Sequence, residues 1–183
     1  MAIFKKRSVA IAVCILLVLA AVIFGGRRSL NALRQDALTV YTAGDENGLS
    51  ILANMNSIAE YTSTLLKTAA ASYTAADSVY EDVRAAYNKL LVCADADPAA
   101  HRQVLSELLS ACTALQLDYS GRSDIPEATA KAMTRSINDI ISMKDQIRHS
   151  GYNTMAAAFN STLETFPAGL LGSLTGVKAL PLF

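Results

Sequence analysis

From Ser8 to Phe24 the chain reads SVAIAVCILLVLAAVIF, seventeen residues without a charge, and Gly25-Gly26 extend the uncharged run to nineteen. Crossing a bilayer takes about 20 apolar residues, because a helix rises about 1.5 Å per residue through about 30 Å of hydrocarbon. The run is just long enough. Lys5, Lys6 and Arg7 on one side and Arg27 and Arg28 on the other can snorkel to the headgroups. The pattern predicts a basic segment over 1–7 and a transmembrane helix over 8–26. The competing reading is a cleaved signal peptide, with Val18-Leu19-Ala20 at the cleavage site. Its apolar region would exceed the usual length of about 7–15 residues, which favours the anchor.

Beyond the span, Leu30, Leu33, Ala37 and Val40 continue a helical pattern until Gly44-Asp45-Glu46-Asn47-Gly48 interrupts it with turn and cap formers. Asn47 is placed to cap the next helix. Leu52, Met55, Ala59, Thr62, Leu66, Ala69, Tyr73, Ala76, Tyr80, Val83, Tyr87 and Leu90 then follow at alternating spacings of three and four, a coiled-coil-like seam. Asp97-Pro98 starts a third helix, with Asp as cap and Pro in the first turn. Its stripe is Leu105, Leu108, Leu109, Cys112, Leu115 and Tyr119, and Ser120-Gly121 closes it. A fourth helix opens at Asp124 to Pro126, shows Met133, Ile137, Ile140, Ile141 and Ile147 on one face, and runs through Tyr152, Phe159 and Leu163 to Pro167. No run reads as a strand. The expected fold is all-α: a single transmembrane helix, an elongated antiparallel three- to four-helix bundle over 27–166, and an apolar tail over 167–183. One tension remains. A second helix of about 45 residues would be about 65 Å long, against about 22 Å for the soluble part of the first. A full reversal at 44–48 would drive it back into the membrane unless it bends or tilts; Asp77-Ser78 and Gly151 are the candidate kinks.

Composition narrows the function. Charged residues make up 17% of the chain and Trp is absent, against about 25% charge in an average soluble domain. No acid precedes Asp36. Setting aside Lys5, Lys6, Arg7, Arg27 and Arg28 leaves 11 basic against 16 acidic residues, a net of −5. Such a body lacks the clustered cations that nucleic-acid binding requires. Three basic residues precede the span, while Arg27, Arg28 and Arg34 follow it, partly offset by Asp36. The α-amino group tips the positive-inside count towards a cytoplasmic N-terminus and an extracytoplasmic body at the cell membrane. Cys14 reads as a small apolar residue of the span. Cys93 and Cys112 sit at different distances from the turn at Asp95-Ala96-Asp97-Pro98, about 18 Å apart by helix rise, too far for a disulfide.

The end of the chain carries a more specific pattern. Ile147-Arg148, Tyr152-Asn153, Phe159-Asn160, Phe166-Pro167, Leu170-Leu171, Leu174-Thr175-Gly176-Val177-Lys178 and Phe183 follow in order. Over residues 147–183 this resembles the LemA family, whose members show a Tyr-Asn pair, a second pair seven residues later, a Phe-Pro, a short apolar linker, a Gly-Phe-Lys-like turn and a closing aromatic. Here the second pair is Phe159-Asn160, and Gly176-Val177 stands at the Gly-Phe position. Over 44–52 the chain lacks the proline and arginines of the corresponding family segment, and the family's early Trp is missing. The resemblance implies a membrane-anchored helical bundle without established catalysis. Some relatives are associated with membrane organisation and envelope proteases.

Tyr152, Asn153, Phe159, Asn160, Phe166 and Pro167 are the candidate interaction residues. Tyr152 and Phe159 lie one heptad apart on one helix face, with an Asn beside each. These asparagines can fix bundle register or form a docking face for a partner helix. The tail can fold back to cap the bundle or insert shallowly into headgroups. Catalytic signatures are missing: there is no phosphate-cradling glycine loop, GxSxG or HExxH, and His101 and His149 lack metal-ligand spacing. A histidine on a polar helix is ordinarily solvated, so His101 is expected at the surface. The reading is a non-enzymatic scaffold or adaptor at the membrane, needing no cofactor or metal. Its partners are the bilayer and other proteins, not nucleic acid, and a homo-oligomer is compatible with the seam. The alternative is a small-ligand-sensing extracytoplasmic bundle working with a partner subunit.

Overall fold

The computed structural model describes residues 2–46, 48, 50–95 and 97–183, and every regular element among them is helical. The order is α1 (Ala2–Ala43), α2 (Ile51–Ala69), α3 (Ser78–Leu91), α4 (Pro98–Ser120), α5 (Glu127–Arg148), α6 (Gly151–Glu164) and α7 (Ala168–Thr175). The all-α bundle read from the pattern is therefore present, with one N-terminal helix long and apolar enough to cross a membrane.

α1 is one unbroken helix of 42 residues with two environments. None of its most apolar eighteen-residue window is buried. Further along, Leu30, Ala37 and Tyr41 pack inside the protein. The partners of α1 are chiefly α6 and α7, and α2 packs chiefly on α5. α2 to α5 close a four-helix ring, since α2 meets α3, α3 meets α4, α4 meets α5, and α5 returns to α2. The molecule thus has two parts: a stalk of α1, α6, α7 and the tail, and a bundle of α2 to α5 beyond its upper end.

This arrangement settles the length tension. α2 does not reverse along α1; the two meet only around the turn between them. Ser50 makes the joint. Its hydroxyl donates to the Thr42 carbonyl at 2.8 Å and accepts the Ala53 N–H at 3.2 Å, so one side chain serves the end of α1 and the start of α2. Asn47 lies outside the described residues, and Ser50 is the observed cap of α2.

The single long second helix is not formed. The chain turns between Ala69 and Ser78, where the Asp77 carboxylate accepts the Thr74 N–H at 2.7 Å and its hydroxyl at 3.0 Å. The break ends at the Asp77-Ser78 kink position, but no Gly or Pro marks the turn and the three-four spacing runs straight through it, so the pattern conceals a reversal. Consequently Ala76, a seam position, is exposed, while α2 buries the seam residues Met55, Thr62, Leu66 and Ala69 together with Ile51, Ile58 and Leu65. The fourth helix is also broken, between Arg148 and Gly151, at the Gly151 kink position. Ile141 faces outward at 40% exposure, while Met133, Ile137, Ile140 and Ile147 are buried. The third helix begins as its sequence predicts: Asp97 accepts the Ala99 and Ala100 N–H groups, with Pro98 in the first turn. Ala96 of the preceding turn lies outside the described residues. All three cysteines are free.

Aliphatic packing dominates the ring. Ile58, Leu65, Leu108, Leu115, Met133, Ile137 and Ile140 are fully buried, each worth about 1.5–3 kcal/mol relative to exposure. At its far end the Tyr73 hydroxyl donates to Asp118 at 2.6 Å, and the Arg122 guanidinium lies 4.8 Å over the Tyr73 ring.

Candidate functional site

α6 carries the candidate residues and is aimed by its first turn. The Gly151 N–H donates to the Asp45 carboxylate at 2.9 Å, an acid placed at the positive end of α6 from 106 positions away. A Cβ on residue 151 would stand 3.1 Å from that side chain, so the glycine lets the acid approach. From there α6 runs back along α1, setting Tyr152 beside Tyr41 and bringing α7 to the level of Gly26.

The structure gathers four of the six candidates around the chain's own tail. Tyr152 is fully buried, and its hydroxyl donates to the Pro181 carbonyl at 2.9 Å. Its ring meets Tyr41 edge-on at 5.4 Å and Phe183 at 5.9 Å. Burial pushes the Tyr152 hydroxyl up to about 12, against a smaller downward pull from Arg34. Asn153 accepts the Phe183 N–H at 2.9 Å and donates to the Arg148 carbonyl at 3.1 Å, finishing α5 while holding the tail. Asn160 makes a two-point pair with one residue: its amide donates to the Leu180 carbonyl and its oxygen accepts the Leu180 N–H, both at 2.8 Å. A side-chain amide has the donor and acceptor of a peptide group, so it serves an extended segment as a neighbouring strand would. Phe159 is buried beneath. Phe166 and Pro167, joined by a cis peptide bond, lie apart from this cluster, and Phe166 is 87% exposed.

The two asparagines therefore bond the tail and the end of α5. The tail folds back as one of its two expected courses: α7 ends at Gly176, whose φ of +72° favours glycine, and residues 177–183 return across α6. Leu180 is buried against the core.

His101 departs from expectation. It is 3% exposed and shares a hydrogen bond with the Tyr41 hydroxyl through Nδ1. Burial lowers its proton affinity, opposed by the nearby Asp95 and Asp97 carboxylates. Its position four residues before Leu105 and seven before Leu108 puts it on the apolar stripe of α4, a signal the sequence held. Tyr41 likewise follows Ala37 by one helical turn. Asp45 carried no such signal, because its role depends on α6 returning to it. His149 is exposed, with its ring on the Asp145 carbonyl.

Chemically, the cluster is a fastening. Its polar atoms are paired with backbone groups, and the nearby Asp45 and Asp97 accept N–H groups at helix starts. Among the described residues, no three His, Cys, Asp or Glu side chains gather in a way that could hold a metal ion. No family model, curated protein or solved structure matches the chain.

Proposed function

We propose that this protein is a single-pass membrane scaffold or adaptor, LemA-like and without catalysis. Its α2–α5 bundle is held clear of the bilayer by the α1–α6 stalk and binds other proteins there. The carrying observation is the division of α1: one continuous helix whose apolar window has no buried residue, and whose other part is built into the fold. An apolar helix exposed over that length is stable in water only if covered, and a bilayer covers it at the right thickness. The continuous helix passes this setting directly to the stalk. The positive-inside count leans towards a cytoplasmic N-terminus and a bundle outside.

The bundle offers outward side chains for binding, including Leu117 at 72% and Val92 at 83% exposure. Photo-cross-linkers at these two positions in cells are expected to give reproducible protein adducts that vanish when residues 1–26 are deleted. Absence of any reproducible adduct would contradict the reading.

One observation favours a sensing role. An open groove of about 350 Å³ between α4, α5 and the tail combines Leu105, Leu109 and Leu182 with the cations Arg102 and Arg148. A small amphipathic anion fits that lining. If sensing is the function, such a ligand raises the melting temperature of the full chain, and Arg102→Gln abolishes the rise.

A further inference from the structure

The stalk's lower end holds a feature that neither the fold nor the scaffold reading uses. α7 crosses α1 at Gly26, the last uncharged residue of the apolar run. A Cβ built on Gly26 would stand 2.6 Å from Leu171, so the missing side chain lets α7 seat there. This contact fixes the height of α7. A helix crossing at Gly26 lies at the edge of the hydrocarbon layer, where the headgroup zone adds about 5–7 Å on each side.

Two surfaces meet at that level. The first is apolar. Leu170 is 56% and Leu174 62% exposed, and four-residue spacing puts them on one face of α7. Phe166, just ahead of the helix, is 87% exposed. The second is cationic. Arg27, Asn31 and Arg34 follow one face of α1 and, with Lys178 after the α7 turn, line a groove of about 270 Å³. None of the three cations forms an ion pair among the described residues. Arg34 lies eight positions beyond Gly26, about 12 Å up α1, within reach of the headgroup zone for a long side chain that leans towards the helix N-terminus.

We propose that this groove binds the phosphate of an anionic phospholipid, while Leu170, Leu174 and Phe166 lie among its upper acyl chains. α7 is then an interfacial helix, and the lipid locks the rotation and tilt of the stalk. A soluble anion would satisfy the cations and leave the leucines and phenylalanine in water. A phospholipid satisfies both surfaces at the one level where the chain places them. The inference rests on the anchor reading and adds a defined ligand to it.

The test uses the full chain reconstituted into vesicles of phosphatidylcholine, alone or with phosphatidylglycerol. With no natural Trp, Phe166→Trp and Leu174→Trp each give a single reporter. Both are expected to emit at short wavelength and lose most of their emission to lipids brominated high on the acyl chain. Phosphatidylglycerol should also co-purify in preference to phosphatidylcholine. Arg34→Gln and Lys178→Gln should each weaken that retention about fivefold, the usual effect of one cation near an anionic surface. Arg28→Gln removes a charge beside Arg27, nearer the span than Arg34 and outside the groove, and should change little. Circular dichroism confirms that these surface variants fold. Equal loss from Arg28→Gln would reduce the site to general charge and overturn it, as would equal retention of the two lipids. Flotation separates the layers of the argument. A chain that floats with unquenched reporters overturns this inference alone, and one that does not float overturns the anchor as well.

Discussion

The bundle of α2 to α5 and the stalk of α1, α6 and the tail are both helix packed on helix, yet different forces close them. In the bundle, Leu65, Leu108, Leu115 and Ile140 fill the centre, and polar contacts between helices, among them Tyr73 with Asp118 and Arg122 at the far end and the Lys89–Glu107 ion pair between α3 and α4, lie around that core. In the stalk, α1 contributes Leu30, Ala37 and Tyr41, too little for a core by itself. Closure there depends on an aromatic group of Tyr41, Tyr152 and Phe183 and on directional bonds from Asn153 and Asn160 to the tail. Packing by volume tolerates many aliphatic sequences. Fastening by amides demands particular residues at particular places, which explains in physical terms why the most specific sequence pattern falls on the stalk.

The comparison breaks first under a cavity. Leu115→Ala should cost the bundle about 2–5 kcal/mol, read as a denaturant midpoint by circular dichroism. The tail should stay protected under native conditions. A loss below about 1 kcal/mol would mean that packing does not hold the bundle.

Asn160→Ala should act in the opposite place. It strands the buried N–H and carbonyl of Leu180, a cost of about 1–3 kcal/mol confined to the tail. Amide exchange over residues 177–183 should rise while the bundle midpoint stays fixed. Asn160→Asp keeps an acceptor but sets a carboxylate against the Leu180 carbonyl, so it should not rescue. An unchanged tail in both variants would remove the fastening from the account.

A smaller effect should appear at the joint between the two regions. His101 of the bundle bonds Tyr41 of the stalk, and burial lowers its proton affinity from the ordinary 6.5. The unfolded chain therefore binds the proton more readily. This contribution to stability is full above about pH 6.5 and fades as pH falls through the lowered value. Melting temperature should fall on acidification through this range, and His101→Gln should flatten that part of the profile. Equal slopes in both proteins would show that His101 is not the titrating group.

Legibility followed the same divide. Helix faces in the bundle could be read from apolar spacing, and Asp97-Pro98 marked a start because its chemistry is local. The break before α3 could be placed only as a kink at Asp77-Ser78 and not as a full turn over 70–77, since the three-four spacing continues through it and its stabilising contact, Asp77 on Thr74, uses residues common in helices and loops alike. In the stalk the important residues were visible but their partners were not. Asn153 and Asn160 stood out by spacing, whereas their bonds to Phe183 and Leu180 depend on the turn at Gly176. His101 was readable from its place on the α4 stripe, yet only the return of α4 past Tyr41 explains its burial. Asp45 was the hardest, because capping α6 across 106 positions leaves no local trace.

The central claim is that α1 joins a bilayer to a folded stalk as one retained helix. Alkaline extraction of membranes, followed by mass measurement of the retained chain, tests it most directly. The account predicts that the chain stays with the lipid pellet with residues 1–26 intact, and that Leu16→Arg with Leu17→Arg releases it. Release of the unaltered chain into the wash, or a mature form beginning after Ala20, would contradict it.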